Sequence, residues 1–222
     1  MRALVVEDEP RLAQNVARSL REGAGYAVDI APDGEEGLFM AQANEYDLVI
    51  LDLMLPKLDG RNVLHRLRQT SSVPVLVLTA RDDKESIVAL LNTGADDYVA
   101  KPFDLGELMA RCKALVRRGK GQSLPVLKVG NLEVNTADRS VRRDGKHIEL
   151  TAMEYRVLEY LAFRAGAVVS KTELLEHLYD FSWERFSNVI EVYISGLRRK
   201  LDDTAQARLI HTLRGQGYML RD

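Results

Sequence analysis

Three acids, a lysine and a hydroxyl close four separate apolar runs in the first half of this chain, and together they could carry phosphoryl transfer. Ala3-Leu4-Val5-Val6 ends on Glu7-Asp8, and Val49-Ile50-Leu51 ends on Asp52. Val75-Leu76-Val77-Leu78 ends on Thr79, and Asp97-Tyr98-Val99-Ala100 ends on Lys101-Pro102. Short apolar runs of this kind read as parallel strands buried on both faces. Ligands of open α/β sheets gather outside the carboxyl ends of such strands. If the strands lie side by side, Glu7, Asp8, Asp52 and Lys101 converge on one point. Three carboxylates so close repel one another and resist joint ionisation unless a cation sits among them. Oxygen-only ligation suits a hard divalent ion such as Mg²⁺. Asp52 then has the place of a nucleophile toward phosphorus, and Lys101 that of a counter-charge for the oxygens. Thr79 offers a hydroxyl to an acyl phosphate at the same rim. A single acid at a strand end is commonly no more than a helix cap; the set carries the reading.

The elements that must position these groups follow from periodicity. Apolar strands alternating with amphipathic helical segments over residues 1–118 predict a (βα)₅ doubly wound parallel sheet. Strands fall near 2–6, 26–30, 47–51, 74–79 and 97–100. A last helix covers about 104–118, where Leu105, Leu108, Met109, Cys112, Leu115 and Val116 recur at three- and four-residue steps. The loop Arg21–Tyr26 lies at the opposite end from the acids. Residues 119–125 (Gly119-Lys120-Gly121-Gln122-Ser123-Leu124-Pro125) read as a linker. Residues 126–222 then read as a second, α+β domain. Alternating stretches at Leu127–Val134 and Ser140–Leu150 predict strands, with Asp144-Gly145 as a hairpin turn. Thr151 with Glu154, and Ser170 with Glu173, are spaced as helix-opening caps; the first helix runs to about Arg164. A third helix runs from about Ser187 to Leu201, with Val189, Ile190, Val192, Tyr193 and Leu197 as its buried stripe. A hairpin around Gly215-Gln216-Gly217 closes the chain.

Length and composition bound the rest. The 222 residues suit two domains, and 46% hydrophobic with 29% charged residues is ordinary for a globular protein. No apolar run approaches the roughly 20 residues needed to cross a bilayer, and the N-terminus lacks a signal-peptide core. The expected setting is the cytoplasm, without a membrane partner. The one cysteine, Cys112, cannot form an internal disulfide and reads as a packing residue. It and the four histidines (65, 147, 177, 211) are too scattered for a zinc site. The net charge of −2 hides an asymmetry. Residues 1–118 hold 15 Lys and Arg against 19 Asp and Glu, and residues 119–222 hold 16 against 14. Within 185–221 the balance is 7 against 3, so the basic excess sits where a phosphate backbone could be held.

The strings V-V-E-D-E, V-I-L-D-L-M-L-P-x-x-D-G, L-T-A-R and G-A-D-D-Y-x-x-K-P-F resemble the receiver domain of two-component response regulators. The second half is similar to the winged-helix output domain of the OmpR/PhoB subfamily, and the two resemblances cover nearly the whole chain. They imply a transcriptional regulator rather than an enzyme, with Asp52 taking a phosphoryl group from a sensor histidine kinase. They imply Mg²⁺ held by Asp8 and Asp52, by the Met54 backbone carbonyl, and by Glu7 through water. Lys101 and Thr79 meet the phosphoryl oxygens, Tyr98 turns inward as a switch, and Pro102 follows a cis bond. In the winged helix the resemblance puts Asn188, Glu191 and Ser195 nearest the bases, with Arg198, Arg199 and Lys200 nearer phosphate. Thr212, Arg214 and Tyr218 fall in the wing. The loop Tyr179–Phe186, with Phe181, Trp183 and Phe186, corresponds to the segment that touches RNA polymerase. Asp96, Asp97, Asp104, Glu107 and Arg111 correspond to the charged pairs of a phosphorylation-dependent homodimer on promoter DNA. Ile87 departs from the pattern, standing where the family usually has a basic residue on the fourth helix.

Two rival readings remain. A phosphohydrolase of the haloacid-dehalogenase type also uses an aspartate after a strand, but it needs a second acid two positions on, where this chain has Met54. A receiver that works without phosphate would not need the full acid set.

Overall fold

The computed structural model describes residues 1–80, 84–179, 189–202 and 208–222. The chain divides into two compact units, Met1–Gly121 and Gln122–Asp222. No described helix is long and apolar enough to cross a membrane.

In the first unit five parallel strands form one sheet in the order β2-β1-β3-β4-β5. They are β1 (Arg2–Val6), β2 (Ala27–Ala31), β3 (Leu48–Asp52), β4 (Val75–Thr79) and β5 (Asp97–Ala100). Every residue of β1, β3 and β4 is buried, which is why those runs carry no polar alternation. The helices are α1 (Pro10–Ser19), α2 (Gly34–Ala43), α3 (Gly60–Arg68), α4 (Lys84–Asn92) and α5 (Leu105–Gly119). Asp33, Asp59 and Asp104 each cap the helix that follows, their side chains accepting first-turn N–H groups. The loop expected at Arg21–Tyr26 is largely helical: Leu20–Ala24 forms a π-turn continuing α1, closed by Gly25 at φ 69°.

Strand register sets the chemistry of the rim. Val6 pairs with Leu51, so Glu7 and Asp52 leave neighbouring strands side by side. Asp52 pairs with Leu78 and Thr79 with Ala100, so Thr79 and Lys101 follow at the same height. The strand order reverses between β1 and β3, and the crevice of a doubly wound sheet opens there. A Cβ at Gly60 would sit 2.1 Å from the Asp52 carbonyl oxygen. Only glycine lets α3 close on the end of β3.

The second unit opens with a four-stranded antiparallel meander: β6 (Val126–Val129), β7 (Leu132–Asn135), β8 (Ser140–Arg143) and β9 (Lys146–His147). Each of the two expected stretches is thus a hairpin, broken at Gly130 (φ 54°) and at Asp144-Gly145 (φ 51° and 75°). Helices α6 (Ala152–Phe163), α7 (Lys171–Leu178) and α8 (Val189–Leu201) follow, then the hairpin β10 (Ile210–Leu213) and β11 (Gly217–Leu220). The expected stripe of α8 is corrected by its helical phase. Ile190, Ile194, Leu197 and Leu201 are buried, whereas Val192 is 66% exposed and Val189 and Tyr193 are half-buried.

Cys112 lies fully buried on α5, and burial, helped by the charge of Asp97, pushes its thiol up to about 12. At pH 8 a water-soluble disulfide reagent should therefore label it only as the first unit unfolds, with the labelling midpoint in urea matching the circular-dichroism midpoint. Rapid labelling of the native protein would contradict this packing.

Candidate functional site

At the rim of the parallel sheet the Lys101 ammonium lies 2.8 Å from Glu7 Oε2 and 2.6 Å from Asp52 Oδ2. Glu7 and Asp52 are buried at the ends of β1 and β3, and Asp8 is exposed beside them. The remaining Asp52 oxygen, Oδ1, accepts the Met54 backbone N–H at 3.2 Å, and Glu7 Oε1 accepts that of Glu9. Burial raises the Glu7 carboxyl; Lys101 opposes this and Asp52 adds to it, and the result stays above the usual carboxylate range. For Lys101 burial acts downward, but the bonds to Asp52 and Glu7 prevail and hold the ammonium above its ordinary value.

Glu7, Asp8 and Asp52 each present a carboxylate oxygen, all within 4.8 Å of one another. With one lysine against three acids, the ionised set keeps an uncompensated negative charge. Such a donor set fits a hard divalent cation. Met54 turns its side chain to solvent (75% exposed), so only its backbone takes part here. Thr79 is buried at the end of β4, and its carbonyl accepts the Lys101 N–H at 2.7 Å, coupling the two positions through the backbone. The Lys101-Pro102 bond is cis. Tyr98, half-buried, packs against the core of the unit.

The charged residues expected at a dimer face are engaged within the chain. Arg111 joins Asp97 (3.0 Å) and Glu107 (2.8 Å). Asp96 takes Arg68 at 2.7 Å and the Val75 N–H at 2.8 Å, and Asp104 caps α5. Beside them α4 turns Val88 and Leu91 outward, with Ile87 partly exposed.

In the second unit the basic run of α8 divides. Arg198 turns to the wing, donating to the Ile210 carbonyl at 3.1 and 2.9 Å and to Thr212 Oγ1 at 2.7 Å. Lys200 turns to α6, 2.7 Å from Glu154 Oε2. Arg199 alone of the three is exposed, with Ser195 and Val192 on the same helix. Glu191, expected near bases, pairs with Lys171 at the start of α7, and its Oε2 is buried with no hydrogen-bond partner. Tyr218, expected in the contact set, is buried and its backbone pairs with that of Val169. Arg214 and Thr212 are exposed on the hairpin. Asn188, Phe181, Trp183 and Phe186 lie outside the described residues; Tyr179 is half-buried against the Tyr193 hydroxyl at 3.2 Å. The outward residue that sequence reasoning missed is Val192. Its signal was the spacing of Ile190, Ile194, Leu197 and Leu201, which already fills one helix face.

Comparison with known proteins gives two family matches. The response regulator receiver domain matches residues 3–113, and the transcriptional regulatory protein C-terminal domain matches residues 145–220. The chain is 44% identical over 220 residues to the transcriptional activator protein IrlR of Burkholderia pseudomallei, covering 99% of this chain and 96% of that one. It is 42% identical over 226 residues to the response regulator MprA of a Mycobacterium species, covering 100% and 98%. Among solved structures, the receiver domain of the Francisella response regulator 1452 aligns with a TM-score of 0.51 at 38% identity, covering 53% of this chain and 97% of that one.

The Glu154–Lys200 pair carries a pH dependence. Burial presses the Glu154 carboxyl upward, but the bonds from Lys200 and Thr151 prevail and leave it below its usual range. A depressed folded-state pKa contributes stability above the unfolded-state value and loses it as pH falls through the folded value. Glu154→Gln should cost the second unit on the order of 1 kcal/mol at pH 7. In urea melts that gap should narrow as pH drops below about 4.3, the ordinary glutamate value. A gap independent of pH would remove the ion pair from the account.

Proposed function

The chain belongs to the response regulators of the OmpR/PhoB type, and we propose that Asp52 is its phosphoacceptor and that α8 with the β10–β11 hairpin reads its promoter DNA. The family works by phosphorylation-dependent regulation of transcription, with a kinase as donor and DNA as target; it is not a family of enzymes. The observation that carries the assignment is the Lys101 ammonium held between two buried carboxylates, one of which is Asp52.

Asp52 Oδ2 attacks the phosphorus of a phosphohistidine on the sensor kinase; the phosphorus–nitrogen bond breaks and an aspartyl phosphate forms. Mg²⁺, held by Asp8, Asp52 and the Met54 carbonyl with Glu7 acting through water, would supply charge neutralisation for the transferred oxygens. Lys101 gives up its bond to Asp52 and takes a phosphoryl oxygen. The Thr79 hydroxyl donates to another, and Tyr98 turns into the space this leaves. Phosphate shifts the population only by binding this arrangement better than the resting one.

The phosphorylated receiver pairs with a second copy through α4, β5 and α5. Val88 and Leu91 add apolar surface to the charged set of Asp96, Asp97, Asp104, Glu107 and Arg111. Exposed ion pairs contribute only about 0–1 kcal/mol each, so the absence of a basic residue at Ile87 is tolerable. Two output domains then occupy half-sites roughly one helical turn apart. On the DNA, Ser195 and Arg199 face the major groove, and Val192 offers apolar contact to a thymine methyl. Arg214 reaches from the hairpin, and the Tyr179–Phe186 loop meets RNA polymerase. The protein acts in the cytoplasm.

Acetyl phosphate with Mg²⁺ should raise the affinity of the unaltered protein for a selected promoter duplex at least tenfold. Asp52→Asn should keep its basal affinity and lose that increase; stimulation that survives the substitution overturns the choice of phosphoacceptor. Separately, Mg²⁺ at 100 times its dissociation constant should stabilise the receiver by about 2.7 kcal/mol. Differential scanning calorimetry should show the gain disappearing in Asp8→Asn, and a variant that keeps it would place the ion elsewhere.

A further inference from the structure

We propose that Arg143 is a positioning residue for DNA binding, which holds α8 in its reading position from the end of β8. This inference rests on the reading of α8 as the recognition helix.

A helix leaves its last four carbonyls without intrahelical donors, and a buried end needs donors from elsewhere. At the C-terminus of α8 one such donor is the Arg143 guanidinium, at the end of β8. Its Nη1 lies 2.6 Å from the Leu201 carbonyl oxygen and 3.1 Å from Asp202 Oδ1. The cation is 4% exposed and stands at the negative pole of the helix. Its Nε donates to Asn131 Oδ1 at 3.1 Å, and Asn131 Nδ2 donates to Asp144 Oδ1 at 2.8 Å. Asn131 and Asp144 belong to the first and the last of the three turns of the meander. A planar fork that cannot lose its proton therefore ties both turns to one helix end. The grips of Arg198 on the wing and Lys200 on α6 act at the side of the helix; Arg143 fixes its axial position.

Base edges are read over fractions of an ångström, whereas phosphates tolerate small shifts. Loosening Arg143 should therefore harm discrimination more than general affinity. Arg142 is a matched control, because it neighbours Arg143 on the same strand and is exposed. The full chain, treated with acetyl phosphate and Mg²⁺, would be titrated with two duplexes. One is selected from a random library by the unaltered protein, and the other is a scrambled sequence of the same length. Arg143→Gln should lose at least tenfold on the selected duplex and less than threefold on the scrambled one, with the salt slope unchanged. Arg143→Lys, which keeps the charge without the fork, should recover part of the ratio, and Arg142→Gln should leave it intact. If Arg143→Gln does not fold, Arg143→Lys must still lower the ratio by at least threefold.

A normal ratio in the folded Arg143 variants overturns the inference alone, as does an equal loss on both duplexes. An unaltered chain that selects no duplex overturns the DNA reading and this inference with it.

Discussion

A single ammonium between two buried carboxylates holds the working end of the receiver in its resting form. Glu7 and Asp52 leave adjacent strands too close to share a desolvated site without a cation, and Lys101, from the far edge strand, supplies one. The sheet order places β4 between its source and Asp52, and β3 and β4 between its source and Glu7, so the contacts depend on the register of four strands. Gly60, where any side chain would collide with the Asp52 carbonyl, belongs to the same constraint. The chemistry of the rim and the packing of the sheet are one arrangement. Asp52 in this state is hydrogen-bonded to the Lys101 ammonium, and on the proposed reading a phosphoryl donor must compete for that lysine.

The second unit uses cations differently. Arg143, Arg198 and Lys200 bind the protein itself: one caps the end of α8, one joins it to the wing, and one joins it to the opening turn of α6. The Glu154 carboxylate that receives Lys200 also completes the cap of its own helix. A Cβ at Gly196 would lie 2.5 Å from Glu154 Oε1, so any side chain there would push that carboxylate aside. The outward face of α8 is left sparsely charged, with Val192, Ser195 and Arg199. On the proposed reading, its contact with DNA would lean on shape and apolar contact as much as on charge.

This contrast explains what was legible in the sequence. In a parallel sheet the residue following each buried run must emerge at the same rim, so Glu7, Asp8, Asp52, Thr79 and Lys101 could be placed together from four apolar runs. Capping residues such as Thr151 and Ser170 were equally readable, because their partners lie three residues away. The basic run Arg198-Arg199-Lys200 was not, because the partners of its outer two members lie 12 and 46 residues distant in sequence. Charge alone does not reveal whether a cation faces solvent or a distant carboxylate. Val192 is apolar and yet outward, because the helical phase set by Ile190 and Ile194 turns it away from the core. Nothing in the types of Arg21–Tyr26 signals that α1 continues into a π-turn there.

The hairpin that carries Arg214 is fastened along both of its strands. The backbone of Tyr218 exchanges hydrogen bonds with Val169 at 2.8 and 2.9 Å, where Gly217 (φ 148°) allows the approach, and Arg198 grips the opposite strand at Ile210. The loop entropy that many ligand-binding segments surrender on contact has been surrendered here during folding. Docking this arm into a groove would then freeze little more than the Arg214 side chain itself, and such preorganisation favours a tight complex without a larger footprint.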